Sequence, residues 1–319
     1  MTTWKKCFLF TFVLLKTNIK MKVFVTGATG FIGSATVKEL QAGGHKVLGL
    51  ARSEESAQKL RESGVEVYYG DLSQPKTLIE AVEMSDAIVH LGFIHDFSKF
   101  KEMCILDGEI IETIGSALKG TQKPFIITSG IGVIQKEGMV TENDQPEGDG
   151  IPRIITERAA DKVADMGVQV AVVRLPPLVH DLGDKIGFAP SLIGIAKAKG
   201  FSAFIESGTN LWPAVHRRDA AKLFRLAVEK HSGTGTRYHG VAEEGIEFKK
   251  IAETIGSKLG LPTRSIAAAD VAEHFTWFAH FAKFNILASS AATRETLSWS
   301  PDQIDLLSDL QSEAYFPAE

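Results

Sequence analysis

From Met21 onward, short apolar runs alternate with stretches whose apolar residues recur at helical spacing. The pattern predicts strands over 22–26, 45–51, 65–69, 87–91, 124–128 and 168–174, and helices over 33–42, 56–63, 78–84, 106–118 and 157–166. Most of these strands are nearly continuous Val, Ile, Leu and Phe, as a strand is when helices cover both of its sides. A parallel, doubly wound α/β sheet follows, with a crevice at the carboxyl ends of its strands. After Pro177 the alternation fades into Gly, Pro and helical segments, with two further short strands near 212–215 and 238–241. No internal repeat or low-complexity linker divides the chain, so the second half is expected to be a smaller lobe folded over the open edge of the sheet.

With 319 residues, 44% apolar and 23% charged, the composition is that of a globular protein and excludes a disordered or fibrous one. Lys plus Arg number 35 against 39 Asp plus Glu, a net charge of -4, so no nucleic-acid partner is expected. Cys7 and Cys104 are too few for a disulfide framework or a Cys-rich zinc site, and no His and carboxylate cluster has ligand spacing. A reduced, cytoplasmic compartment and no metal are therefore expected. Lys5 and Lys6 precede an apolar run over 7–15, followed by Lys16 and Lys20, in the manner of a signal peptide. That run is far short of the roughly 20 residues a membrane span requires, and no small-residue cleavage site follows it. Residues 1–20 are read as a loose extension before a natural start at Met21, with an interfacial anchor or a secretion signal as the other readings.

The chemistry begins in the turn after the first strand, Thr26-Gly27-Ala28-Thr29-Gly30-Phe31-Ile32-Gly33. Gly27 permits the tight turn, Gly30 lets the backbone approach a diphosphate at a helix N-terminus, and Gly33 lets the helix pack closely on the sheet. The strand before and the helix after supply the context that a lone glycine triplet lacks. A dinucleotide is expected here, with Thr29, Phe31 and Ile32 completing the contact surface. The second strand ends Ala51-Arg52-Ser53, with no acid before Glu54. An acid there would select NAD through the ribose 2′-OH, whereas Arg52 can fork onto a 2′-phosphate and Ser53 can add a hydrogen bond. NADP (NADPH) is the expected cofactor, against the plainer reading of a solvated arginine.

The loop's form, T-G-x-x-G-x-x-G, resembles that of the extended short-chain dehydrogenases/reductases, the group of the NAD-dependent epimerases and dehydratases. The resemblance runs from Met21 to about Tyr315 and is strongest before Pro177. It implies a Rossmann-type sheet over 21–180 and a smaller C-terminal substrate lobe over 181–319, with about 212–241 returning to the core. It also implies that Asp71 and Leu72 meet the adenine, and that Leu91, Gly92 and Phe93 wall the adenine and ribose. By the same resemblance Pro176 and Pro177 lie beside the nicotinamide.

Members of that family usually work with a Tyr-x-x-x-Lys pair and a Ser or Thr hydroxyl. Here the four tyrosines are Tyr68, Tyr69, Tyr238 and Tyr315, and none has a lysine four positions later. Counting back from the sixth strand puts the expected pair at Arg153 and Glu157, so the spacing is kept and the residue types are not. An arginine does not donate a proton at neutral pH, because its pKa is above about 12. In Thr128-Ser129-Gly130-Ile131-Gly132-Val133, Gly130 stands where the substrate-contacting hydroxyl is expected, and Ser129 faces the cofactor. The chain thus resembles the atypical extended members. Ser129, His180 (with Asp181) and His216 (with Asp219, in a V-H-x-x-D segment) are the candidate catalytic residues, and His95 and Asp96 follow the fourth strand. For each histidine a structural role is the competing reading. The aromatic stretch 274–284 is either a lid over an apolar substrate or packing within the lobe, and Arg294 is expected to anchor that lobe.

These readings converge on an NADP(H)-dependent oxidoreductase acting on a carbonyl/alcohol of a small, fairly apolar molecule. A non-catalytic NADP(H)-binding redox sensor is the alternative. A sugar-nucleotide epimerase is disfavoured, because that chemistry also uses the tyrosine.

Overall fold

The computed structural model describes residues 20–316, so all of the N-terminal extension except Lys20 lies outside the described residues. Strand β1 (Lys22–Thr26) and helix α1 (Phe31–Ala42) lead to β2 (Lys46–Ala51), α2 (Glu54–Glu62), β3 (Glu66–Tyr69), α3 (Ile79–Glu83), β4 (Ala87–His90), α4 (Phe100–Leu118) and β5 (Phe125–Gly130). The short β6 (Met139–Val140) precedes α5 (Ile154–Asp165) and β7 (Val170–Leu175). Then come β8 (Leu178–His180), α6 (Phe188–Lys199), β9 (Ser202–Ile205), β10 (Leu211–His216), α7 (Arg217–Lys230) and β11 (Thr236–His239). The chain closes with β12 (Glu243–Glu247), α8 (Phe248–Leu259), β13 (Thr263–Ile266), α9 (Val271–Phe275), α10 (Ala279–Ala282), β14 (Leu287–Ala288), α11 (Ala291–Leu297) and α12 (Leu306–Asp309).

Seven strands form one parallel sheet in the order β11-β7-β5-β4-β1-β2-β3. Successive side chains of β1 serve opposite faces: Val23 and Val25 join one core with Val37, Leu40 and Phe224, and Phe24 joins the other with Ile88, Ile110 and Ile114. This double burial is why the strands read as unbroken apolar runs, and the doubly wound, Rossmann-type architecture is present as expected. The strand order reverses between β1 and β4, which opens a crevice at their carboxyl ends.

Two elements depart from the expected pattern. Helix α4 starts at Phe100 instead of 106, because its first turn carries the exposed Lys101 and Glu102 and shows no apolar periodicity. Strand β10 belongs to a separate sheet, β12-β10-β8, whose register shifts between Trp212 and Ala214. Pro213 sits at that shift, where a residue without an N–H is tolerated. The lobe has its own aromatic core around Trp212, Phe248, Phe275 and Phe278. No helix among the described residues is long and apolar enough to cross a membrane.

The tightest point of the fold is in the glycine turn. A Cβ on Gly33 would stand 2.0 Å from the Gly27 carbonyl oxygen, a backbone atom that cannot swing aside. Gly33→Ala is therefore expected to cost about 3 kcal/mol or more, read as a lower urea midpoint in equilibrium unfolding.

Candidate functional site

The crevice is built from the ends of five strands. Gly27 turns the chain at φ +66°, and a Cβ there would meet the Gly92 nitrogen at 2.8 Å and the Leu91 carbonyl carbon at 2.9 Å. The exits of β1 and β4 thus lie backbone against backbone. Thr29 and Gly30 are exposed at the tip of the turn, Phe31 and Ile32 are half-buried and Gly33 is buried. Gly30 is the N-cap of α1 and offers no side-chain acceptor to the first-turn N–H groups. Those donors, at the positive end of a twelve-residue helix, fit a pyrophosphate in a turn cleared of side chains.

At the β2 exit, Arg52 is exposed and makes no hydrogen bond or ion pair among the described residues. Ser53 caps α2: its hydroxyl accepts from the Ser56 N–H in a reciprocal capping box. The one carboxylate nearby, Glu54, accepts hydrogen bonds from Arg61 and from the Tyr69 hydroxyl. These two contacts, Arg61 first, hold its carboxyl below the usual range. Beside this, Asp71 accepts from the Ser73 N–H at 2.9 Å, and the side chain of Leu72 would meet a Cβ on Gly92 at 2.8 Å. Leu91 and Phe93 are half-buried at the β4 exit. Pro176 is buried and Pro177 half-buried beyond β7. The glycine turn, Leu72 and the β4 exit are therefore brought into contact, with the Arg52 segment at the neighbouring strand end.

A buried polar chain runs under the crevice. The Gly92 N–H donates to Thr26 Oγ1 at 3.0 Å, and Thr26 Oγ1 meets His90 Nδ1 at 2.7 Å. His90 Nε2 meets Asp107 Oδ1 at 3.2 Å. The assignment that satisfies all of these has the threonine donating to Nδ1 and Nε2–H donating to the carboxylate. The other oxygen, Asp107 Oδ2, accepts from Arg153 at 2.9 Å and from the Thr156 hydroxyl at 2.6 Å. Burial alone would raise the Asp107 carboxyl; the Arg153 charge and the His90 and Thr156 hydrogen bonds outweigh it and hold the group below its ordinary value. Arg153 also donates to the Thr128 carbonyl at 3.0 Å and lies over the Phe93 ring, 4.1 Å from its centroid.

Glu157, four residues on, is enclosed. Arg174 grips it bidentately at 3.0 Å and 3.0 Å, and Arg237 adds a bond at 3.1 Å. Burial pushes its carboxyl up, and the arginines more than reverse this, leaving it below the usual range. Ser129, on β5, is buried, and its hydroxyl points toward Glu157 without reaching hydrogen-bond geometry.

His180 and His216 come together at the junction with the lobe, as edge-to-face rings 5.3 Å apart on the paired strands β8 and β10. His180 is 1% exposed, and its Nδ1 meets Asp309 Oδ2 at 2.8 Å, an oxygen that also accepts from Tyr315 at 2.7 Å. His216 Nε2 lies 3.5 Å from Asp181, which also pairs with Arg217 at 2.9 Å. Desolvation first, and the neighbouring His180 charge, lower the His216 ring's proton affinity against the pull of Asp181. Asp219 accepts from the Asp302 and Gln303 N–H groups and closes the C-terminal segment over α7. His216 also borders a cavity of about 160 Å³ with Glu243, Arg294 and Asp305. His180 is thus held by a carboxylate, whereas His216 accepts the Arg218 N–H at 3.2 Å with Asp181 alongside. Asp107, Arg217, Asp309 and Tyr315 had no individual signal in the sequence, apart from the acidic Asp107 standing on an otherwise apolar helix face.

A family model described as the NAD dependent epimerase/dehydratase family matches residues 23–102. An uncharacterized protein of Schizosaccharomyces pombe is 46% identical over 93% of this chain and the whole of its own length. A sterol-4-alpha-carboxylate 3-dehydrogenase (decarboxylating) of Dictyostelium discoideum is 25% identical over 76% of this chain and 78% of its own. Among solved structures, the dTDP-glucose 4,6-dehydratase DesIV of Streptomyces venezuelae, with NAD and TYD bound, superposes with a TM-score of 0.72 at 17% identity. That alignment covers 93% of this chain and 97% of the other.

The enclosed Glu157 yields a direct test. Glu157→Gln leaves Arg174 and Arg237 buried without their counter-charge and is expected to cost about 3–5 kcal/mol by urea unfolding. Because the folded carboxyl lies below its ordinary value of 4.5, its contribution is complete above that pH and is lost as the pH falls through the lower folded value. Below pH 4.5 the stability of the native chain should therefore decline more steeply than that of Glu157→Gln.

Proposed function

This chain belongs to the NAD dependent epimerase/dehydratase family, whose chemistry is NAD(P)-dependent oxidoreductase or epimerase-like, and from that premise we propose that it is an NADP(H)-dependent oxidoreductase. Its substrate in this reading is a small, fairly apolar carbonyl or alcohol, reduced or oxidised without a Tyr-Lys pair. Gly27, Thr29, Gly30, Phe31, Ile32 and Gly33 hold the pyrophosphate, and Arg52 with Ser53 takes the 2′-phosphate. Asp71, Leu72, Leu91, Gly92 and Phe93 enclose the adenosine, while Ser129, Pro176 and Pro177 border the nicotinamide. A bound nicotinamide supplies hydride transfer. The chain's own residues bind, orient and exclude water. His180 and His216 act as positioning residues, locking the β8 and α7 entries of the lobe through Asp309 and Asp181.

The observation that carries the cofactor choice is the free guanidinium of Arg52 beside a carboxylate, Glu54, already occupied by Arg61 and Tyr69. A carboxylate so engaged is not available to a ribose 2′-OH, whereas the guanidinium is available to a phosphate. A second reading, a non-catalytic redox sensor, draws on Arg153 and Glu157 both standing in ion pairs. It requires lobe closure to differ between NADP and NADPH, and equal hydrodynamic behaviour with the two removes it.

Loss of a charge-assisted contact worth about 1.5–3 kcal/mol weakens binding roughly 10- to 100-fold. Arg52→Ala is expected to weaken NADPH by that factor in calorimetric titration while leaving NADH within about twofold. Equal loss for both dinucleotides would place the 2′-phosphate elsewhere.

A further inference from the structure

Two aromatic groups, one from the sheet side and one from the lobe, approach the carboxyl end of β5. From the core side, Phe93 carries the Arg153 guanidinium on its face and packs edge-on against Phe100. From the lobe side, the ring of Phe284 lies where a Cβ on Gly132 would come within 3.0 Å of it. Phe284 in turn packs against Phe281 and His280 at 5.6 Å and 5.5 Å between centroids. This aromatic shelf is fixed, because Asn210 and Trp212 donate hydrogen bonds to the Phe284 carbonyl at 2.8 Å and 3.1 Å.

Arg153 sits at the same strand end with donors to spare. Of its five N–H groups, one meets Asp107 and one meets the Thr128 carbonyl, and the side chain keeps 18% of its surface exposed. Each of the four tyrosine hydroxyls is engaged with another partner. Tyr68 donates to the Thr77 carbonyl, Tyr69 to Glu54, Tyr238 meets His231, and Tyr315 donates to Asp309. A permanent cation that does not release a proton stabilises an oxygen that stays anionic. That requirement suits the weakly basic oxygen of a phenolate or enolate, and does not suit the strongly basic alkoxide of a saturated alcohol, which must be protonated.

We propose that Arg153 receives the substrate's oxygen as an anion, and that the strand end beside Phe284 takes planar, conjugated carbonyl compounds or the enolates and phenolates derived from them. This rests on the oxidoreductase reading above and narrows its substrate class. In it Asp107 is a positioning residue, holding the guanidinium at the strand end.

The test is a spectroscopic titration of the full chain with 2-naphthol, saturated with NADPH, in which the naphtholate absorbance reads the ionisation of the bound ligand. The native chain is expected to raise the acid constant of bound naphthol, so that ionisation is favoured at least tenfold over free naphthol. The neutral 2-methoxynaphthalene and the saturated decahydro-2-naphthol should each bind at least tenfold more weakly than naphtholate. Arg153→Lys should retain part of the ionisation shift and Arg153→Met should lose it. Should Arg153→Met fail to fold, with Asp107 left unpaired, Phe284→Ala carries the test: naphtholate should weaken at least fivefold with NADPH affinity unchanged. Unshifted ionisation in the native complex, equal binding of the saturated or methylated ligand, or no naphtholate binding while NADPH binds overturns the proposal and leaves the oxidoreductase reading standing. Naphtholate binding with the expected shift but no NADPH binding removes the oxidoreductase reading and leaves Arg153 as an anion site.

Discussion

The carboxylate of Asp107 is the point on which the crevice turns. It reaches β1 through His90 and Thr26, and it reaches the start of α5 through Arg153 and Thr156. Three segments that the chain brings together from far apart are tied to this single group, so the glycine turn and the start of α5 share one anchor. A buried carboxylate is costly in isolation, and here the cost is offset by a cation and two further hydrogen-bond donors. The arrangement therefore fixes geometry more than it adds stability. Its consequence is that Arg153 arrives at the end of β5 already oriented, over Phe93 and against the Thr128 carbonyl.

A second ion-pair set lies directly behind the first. Glu157 is one helical turn from Arg153, and its two arginines come from β7 and the edge strand β11. The fold thus sets two consecutive ion-pair groups, Asp107 with Arg153 and Glu157 with Arg174 and Arg237, along the first turns of α5. At the lobe junction His180 is held by Asp309, and His216 packs edge-on against it 3.5 Å from Asp181.

The parts of this account that local sequence carries were legible in advance. Continuous apolar runs marked β1, β2, β4, β5 and β7, because both faces of each are covered, and the glycine turn was readable since each glycine answers a separate steric demand. The empty acid position at Ala51-Arg52-Ser53 was visible too, but the occupation of Glu54 was not, as it depends on Tyr69 from the adjacent strand. The Asp107 chain could not be read, since its partners lie 17, 46 and 49 positions away. His180 was a candidate catalytic residue by its place after Pro177; its partner Asp309 is 129 residues further on and no local pattern announces it. The small sheet β12-β10-β8 escaped for a different reason, as its strands are short and Pro213 interrupts the one with the clearest pattern.

The central claim is that a dinucleotide lies along the ends of β1, β2 and β4 with its extra phosphate at Arg52. A crystal structure of the full chain grown with saturating NADPH tests this most directly. The account predicts the pyrophosphate against the main-chain N–H groups at Phe31 and Ile32, and the 2′-phosphate within hydrogen-bond distance of the Arg52 guanidinium. A crevice without the dinucleotide under those conditions, or an adenosine whose 2′-phosphate points away from Arg52, would contradict it.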